Sequence, residues 1–271
     1  MTHRTDAPTL QDLAESIQES EYIVVLTGAG ISVASGIQPF RKSADAIWER
    51  DVTELATRRF FNESPLESWK WYLNRFDNLT DKEPNPAHHA LTALGQWCRE
   101  DHKRFTLITQ NIDTLHRKAG SDDIIEIHGR ADACRCTKLG CKNAAPHGLI
   151  PSDQLDLEAL KSDPSEERLP RCPLCDSLVR PHVLWFDEMY DEHESYQFER
   201  ALNAFQDADL IICSGTSFSV GITELAFRQV FERHLDFWVI DPSVDHLVAP
   251  YVLKVERPAE AALTDLMQLL P

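Results

Sequence analysis

The chain has 271 residues, 42% hydrophobic and 26% charged, which are the proportions of an ordinary globular protein able to bury a sizeable core. Its net charge of −17 disfavours nonspecific binding to nucleic acid or to an anionic membrane, and no apolar run approaches the ~20 residues that span a bilayer. The opening MTHRTDAPTLQDLAESIQES is polar and unlike a signal peptide, so a cytoplasmic protein is expected, and seven cysteines, an odd number, argue against a disulfide framework.

In chain order, 9–20 reads as an amphipathic helix, and Tyr22–Leu26 as a buried strand running into Thr27-Gly28-Ala29-Gly30. A strand that ends in a Gly-containing turn is how α/β domains receive phosphates. Residues 42–100 hold no convincing strand and carry helical signals, including Pro65 at a helix start. Apolar runs at Phe105–Ile108, Ile124–Ile127, Leu210–Ser214 and Phe237–Ile240 read as parallel strands, with helical patterns at 191–206, 222–233 and 257–270. Residues 130–180 break this rhythm with clustered cysteines and a polar link. The expected fold is therefore α/β: a Rossmann-like, doubly wound parallel sheet formed by 1–41, 101–129 and 181–271, with a small helical and zinc-binding domain inserted from 42–100 and 130–180.

Several constellations carry chemistry. In TGAGISVASGIQPFR, Thr27 to Arg41, Val33 holds the third glycine position of a dinucleotide fingerprint. The run of small residues still lets backbone approach a pyrophosphate, and Arg41 supplies a cation. In TQNIDTLHRKAG, the residues Gln110, Asn111 and Asp113 fall just past a strand, where α/β sheets bind ligands. Amides and a carboxylate suit an amide and ribose hydroxyls; Asn111 and Asp113 equally suit the capping of the next helix. His128 ends an apolar strand and is followed by Gly129; it is either a structural histidine or a general base. SGTSFSV, Ser214 to Val220, is a second small, hydroxyl-rich turn after a strand. The acidity either maintains solubility or steers a basic substrate such as a lysine-rich peptide.

Five of the seven cysteines lie between 134 and 175. Cys172-Pro-Leu-Cys175 presents two thiolates to one metal, and the partners come from Cys134, Cys136 and Cys141. Cys136 and Cys141 are chosen, which leaves Cys134 free. A closed Cys₄ site has no open position for water, so one structural Zn²⁺ is expected, without a part in the chemistry.

In this order the blocks resemble the sirtuins, from about Glu21 to Ile240. The resemblance implies an NAD-dependent protein-lysine deacylase: the acyl-lysine amide oxygen attacks C1′ of the nicotinamide ribose, nicotinamide leaves, and a histidine helps activate a ribose hydroxyl. The products are lysine, nicotinamide and O-acyl-ADP-ribose. Matched by motif, Gly28, Ala29, Gly30, Ser32 and Arg41 would line NAD, as would Gly215, Thr216 and Ser217. Gln110, Asn111 and Asp113 would hold the nicotinamide and its ribose, and His128 would be the catalytic histidine. Val183 to Glu188 would pair with substrate backbone, with Trp185 and Phe186 near the acyl-lysine tunnel. Tyr72-Leu-Asn-Arg75 resembles the acyl-pocket pair of members that remove succinyl and malonyl groups, and at i, i+3 on a helix the two share a face.

The chain departs from the family pattern at Gln38 and Pro39, at Arg130, at Asp187, where an acidic side chain would act on substrate charge, and at Asp241 near the adenosine. The rival readings are an NAD-dependent ADP-ribosyltransferase or NAD hydrolase on the same site, and a zinc-ribbon interaction module. The complete peptide strand disfavours the first, and the intact His128, Asn111 and Asp113 the second.

Overall fold

A computed structural model describes residues 7–38, 48–216, 218, 221–243 and 252–271. Its strands are β1 (Tyr22–Thr27), β2 (Arg104–Thr109), β3 (Ile124–Glu126), β4 (Gly129–Cys136), β5 (Ile150–Pro151), β6 (Val179–Val183), β7 (Leu210–Ser214), β8 (Phe237–Ile240) and β9 (Val252–Val255). Six of them form one parallel sheet in the order β3-β2-β1-β7-β8-β9. The order reverses between β1 and β7, and the crevice above their carboxyl ends is where a doubly wound sheet takes ligands.

Both faces of this sheet are covered, which is why its strands read as unbroken apolar runs. Ile23 and Val25 of β1 point to one face, against helix Leu10–Glu19, helix Pro86–Glu100 and the C-terminal helix Ala259–Met267. Val24 and Leu26 point to the other, against helices Phe198–Asp207 and Gly221–Arg233. The first helix starts one residue later than the pattern suggests because Thr9 caps it in a reciprocal box with Asp12. Helix Pro86–Glu100, grouped with the small lobe by its place in the sequence, presents Ala87, Leu91, Leu94 and Cys98 on one stripe and packs on the large sheet.

The helix expected over 191–206 begins only at Phe198; Tyr190–Glu192 and Glu194–Tyr196 are 3₁₀ turns. Tertiary bonds hold this stretch out of the helix: Glu194 N–H donates to Pro146 O at 2.9 Å, and His193 Nε2 bonds Gly148 O at 3.2 Å.

The small lobe is an antiparallel sheet, β5-β4-β6, covered by helices Arg58–Glu63, Pro65–Thr80 and Leu157–Ser162. Pro65 opens its helix, as expected. The core here joins Phe61, Trp69, Tyr72, Ile150, Val179 and Trp185, and Trp69 Nε1–H donates to Val179 O at 2.9 Å. Val183, expected with the large domain, pairs with Gly129 in this smaller sheet. Among the described residues, no helix is long and apolar enough to cross a membrane.

Candidate functional site

The turns after β1 and β7 touch each other across the switch point. Gly28 N–H donates to Ser214 O at 3.1 Å, and Gly30 N–H to Gly215 O at 2.7 Å. A Cβ on Gly30 would lie 2.6 Å from Gly215 Cα, and one on Gly28 would lie 2.8 Å from Gly215 O. Gly215 itself has φ +64, and its Cβ would meet Ile31 N at 2.3 Å. The glycines thus let two backbone turns meet, a demand that the sequence pattern alone attributes to a bound phosphate. Arg41 and Ser217 lie outside the described residues.

The segment after β2 locks onto these turns. Gln110 Nε2–H donates to Thr27 O at 3.3 Å and to Thr216 Oγ1 at 3.2 Å. Asn111 Nδ2–H donates to Gly28 O and Ser32 Oγ, both at 3.1 Å, and Ser32 Oγ–H donates to Asp113 Oδ2 at 2.7 Å. The other Asp113 oxygen accepts from Leu115 N–H at 3.0 Å, so Asp113 does cap the short helix Leu115–Lys118 while also joining the network. Burial raises the Asp113 carboxyl, and the Ser32 and Leu115 bonds pull it back only in part. Ala29 sits half-exposed at the rim, whereas Ser32 is buried.

His128 stands at the edge of the same crevice, between β3 and β4. Its Nδ1 lies 2.9 Å from Gln110 O, and a carbonyl can only accept, so Nδ1 carries the proton of the neutral ring. Nε2 is then the lone-pair nitrogen, 3.3 Å from the Tyr190 hydroxyl. Burial pushes the imidazole down to about 4, against the opposing pull of the Gln110 carbonyl, so it is neutral at pH 7. A neutral imidazole whose tautomer is fixed with Nε2 as the acceptor has the form of a general base.

The small lobe reaches this histidine through its backbone. Leu184 N–H donates to His128 O at 2.9 Å, and Gly129 pairs with Val183. Beyond Val183, Phe186 is 60% exposed while Trp185 is 1% exposed, so only the former presents its ring to solvent. Trp185 Nε1–H instead donates to the buried Tyr72 hydroxyl at 2.6 Å. Arg75 lies over Trp71 at 4.9 Å and is electrostatically coupled to Tyr72. Burial lowers the guanidinium to about 10 and pushes the Tyr72 phenol well above its ordinary range. At neutral pH the pair is therefore one cation and one neutral hydroxyl.

One feature escapes the sequence patterns. Glu188 is the buried centre of a charge cluster: it accepts from Arg180, from Arg135 at 3.0 Å, from Arg58 at 3.0 Å and from Trp185 N–H at 3.1 Å. Asp187, expected to act on substrate charge, accepts from the backbone N–H groups of Arg58 and Arg59 at 2.7 and 3.1 Å, anchoring the start of helix Arg58–Glu63. Arg130 pairs with Asp132 at 3.0 Å. Asp241, at the end of β8, is buried and accepts from Ser243 N–H at 2.8 Å.

Cys136, Cys141, Cys172 and Cys175 bring their sulfurs within 4.8 Å of one another. The Cys136–Cys175 and Cys141–Cys172 separations are 3.5 and 3.7 Å, close to the spacing of a tetrahedral site with Zn–S bonds of about 2.3 Å. Four thiols with no other ligand type suit zinc and leave no position for a reacting water. Cys134 lies apart in the apolar core, where burial pushes its thiol up to about 12.

A model of the Sir2 family matches residues 28–221. The NAD-dependent protein deacylase 1 of Archaeoglobus fulgidus is 38% identical over 212 residues, 76% of each chain. The mitochondrial NAD-dependent protein deacylase sirtuin-5 of Xenopus tropicalis is 36% identical over 237 residues, covering 83% of this chain and 74% of that one. The solved structure of a Sir2 homologue in complex with NAD superposes with a TM-score of 0.78 at 33% identity, over 98% of this chain and 95% of the other.

Proposed function

The chain belongs to the Sir2 family and is an NAD-dependent protein deacylase, and we propose that His128 is its general base and that its acyl pocket takes negatively charged acyl groups on lysine. The observation that supports the first part is the fixed tautomer of His128, in which Nδ1 is held by Gln110 O and Nε2 is left as the acceptor. NAD, as co-substrate, supplies the ribose carbon that receives the acyl oxygen and the nicotinamide that leaves.

The residues divide the remaining work. Gly28, Ala29 and Gly30 line the dinucleotide with Gly215 and Thr216, and by family motif Arg41 and Ser217 do so too. Gln110, Asn111 and Asp113 hold the nicotinamide and its ribose, with Ser32 bridging the latter two. His128 takes a proton from a ribose hydroxyl at Nε2. Val183, Trp185 and Phe186 border the acyl-lysine.

The acyl preference rests on Tyr72 and Arg75. The Tyr72 oxygen accepts from Trp185, so its own proton is left to donate. Arg75 remains a cation on the same helical face. A carboxylate buried without a partner is costly, and this pair offsets that cost for succinyl or malonyl. None of the seven cysteines is in a disulfide, which suits a reducing compartment, and a cytoplasmic location is part of this reading. The −17 charge favours basic lysine-containing peptides over nucleic acid or membrane.

The test is a panel of acetyl-, succinyl- and malonyl-lysine peptides, each with and without NAD, followed by nicotinamide release and free lysine. Deacylation requires both substrates. Nicotinamide released from NAD alone at the same rate would instead favour an NAD hydrolase, and a wild-type enzyme inert on succinyl and malonyl peptides would remove the acyl assignment.

A further inference from the structure

The lone pair of His128 already has a partner. Tyr190 sits in the 3₁₀ turn after the Val183–Glu188 loop, and its hydroxyl is 3.3 Å from His128 Nε2. Because Nδ1 holds the ring proton against Gln110 O, the Tyr190 O–H is the donor in this contact. The phenol is held from three further sides. Its ring stacks on His128 at 5.8 Å and 23°, and on Phe198 at 5.2 Å and 15°. Its edge lies against Gly221, where an added Cβ would be 3.8 Å from Tyr190 Cε2.

We propose that Tyr190 is a positioning residue that occupies the base's lone pair in place of the ribose hydroxyl and gives way to it when the dinucleotide binds. The inference rests on His128 being the base. Two physical points carry it. A buried acceptor left without a donor is destabilising, so a hydroxyl at Nε2 keeps the imidazole in its working orientation before substrate arrives. At 3.3 Å the bond is long for O–H···N and therefore weak enough to exchange for an equivalent bond from a ribose. The exchange has a thermodynamic signature: a ligand that must displace Tyr190 binds less tightly than it would to an unengaged histidine.

Tyr190→Phe removes the hydroxyl and keeps both ring stacks. Calorimetric titration of the full chain is expected to show ADP-ribose binding two- to tenfold more tightly in the variant, the worth of one neutral hydrogen bond. ADP, which lacks the second ribose, should bind within twofold of wild type. In a His128→Ala background the gain from Tyr190→Phe should vanish, because the contact no longer exists. A merely structural role would loosen both ligands. Unchanged or weaker ADP-ribose binding, equal tightening of ADP, or a gain that persists without His128 would each overturn the proposal. Should Tyr190→Phe fail to fold, Tyr190→Leu carries the same comparison. Retained deacylation by a folded His128→Ala protein would sink the base assignment itself, whereas an unaltered ADP-ribose affinity in Tyr190→Phe would sink only this inference.

Discussion

Glu188→Gln keeps the shape of a side chain that is entirely buried and removes only its charge. The side chains of Arg135 and Arg180 around it are 4% and 5% exposed, so water cannot replace what is lost. Burial alone would raise the Glu188 carboxyl, but the charge and hydrogen bond of Arg180, and then Arg135, outweigh it and hold the group at about 2 against an ordinary 4.5. That difference corresponds to roughly 3 kcal/mol of stability at neutral pH. Breaking a buried cluster from one side costs about 3–5 kcal/mol by analogy with other buried pairs, so the two routes agree. Because the folded pKa is the lower one, the contribution is complete above about 4.5 and is lost as the pH falls towards 2. Thermal unfolding at pH 7 should show the Glu188→Gln midpoint roughly 5–10 °C below wild type. Between pH 4.5 and 2.5 the wild type should lose stability more steeply than the variant. A variant within about 1 kcal/mol of wild type at pH 7, far less than a buried partner is worth, or one with the same acid slope, would refute the electrostatic account of this cluster.

Three further outcomes are expected. Arg75→Met should lower kcat/KM on a succinyl peptide by roughly 10²-fold and leave the matched acetyl peptide within a few-fold, since acetyl has no carboxylate to orphan; equal losses on both would place Arg75 in the fold or in NAD binding. His128→Ala should fold and lose about 10²–10⁴-fold in turnover, and because burial holds the wild-type imidazole at about 4, the acid limb of kcat/KM should fall near there and not near 6.5. Metal analysis should find about one zinc per chain, lost in Cys172→Ala and Cys136→Ala and retained in Cys134→Ala; the reverse pattern for the last two would overturn the ligand set.

The large sheet was legible because its strands are buried on both faces, and Tyr22–Thr27 or Leu210–Ser214 announce that burial by composition alone. The Cys₄ set was legible because ligand spacing is local chemistry. Lobe membership was not: the apolar stripe of helix Pro86–Glu100 reports that a face is buried and is silent on which layer buries it. Nor was the Arg135–Glu188 pair, 53 residues apart, since a buried ion pair leaves no periodic signature. Asp187 has a second role that was not legible for a related reason. An acidic residue beside a substrate strand looks electrostatic in sequence, and only the fold brings it to the backbone N–H groups of Arg58 and Arg59. The 3₁₀ turns at 190–196 replaced an expected helix because Pro146 O and Gly148 O, far away in sequence, claim Glu194 and His193.

The position of β4 explains how a metal with no open coordination site bears on the chemistry. One end of this strand, Gly129, adjoins His128; the other end is Cys136, a member of the sulfur cluster. Its partner β6 is preceded by Cys172 and Cys175 and leads into the Val183–Glu188 loop. The cluster therefore joins two strands at one end, while His128 and the Val183–Glu188 loop hang from the other. The pairing is tight enough that Gly129 is required: at φ +77 a Cβ there would fall 2.2 Å from His182 O. A side chain at 129 cannot be accommodated unless β4 and β6 shift, and this strand pair also carries the Leu184 N–H to His128 O bond. Loss of a zinc ion from the four cysteines would loosen the same pair from the opposite end. A zinc ion held by the four cysteines and the missing side chain of Gly129 would thus act on one variable, the separation of β4 and β6 beside His128.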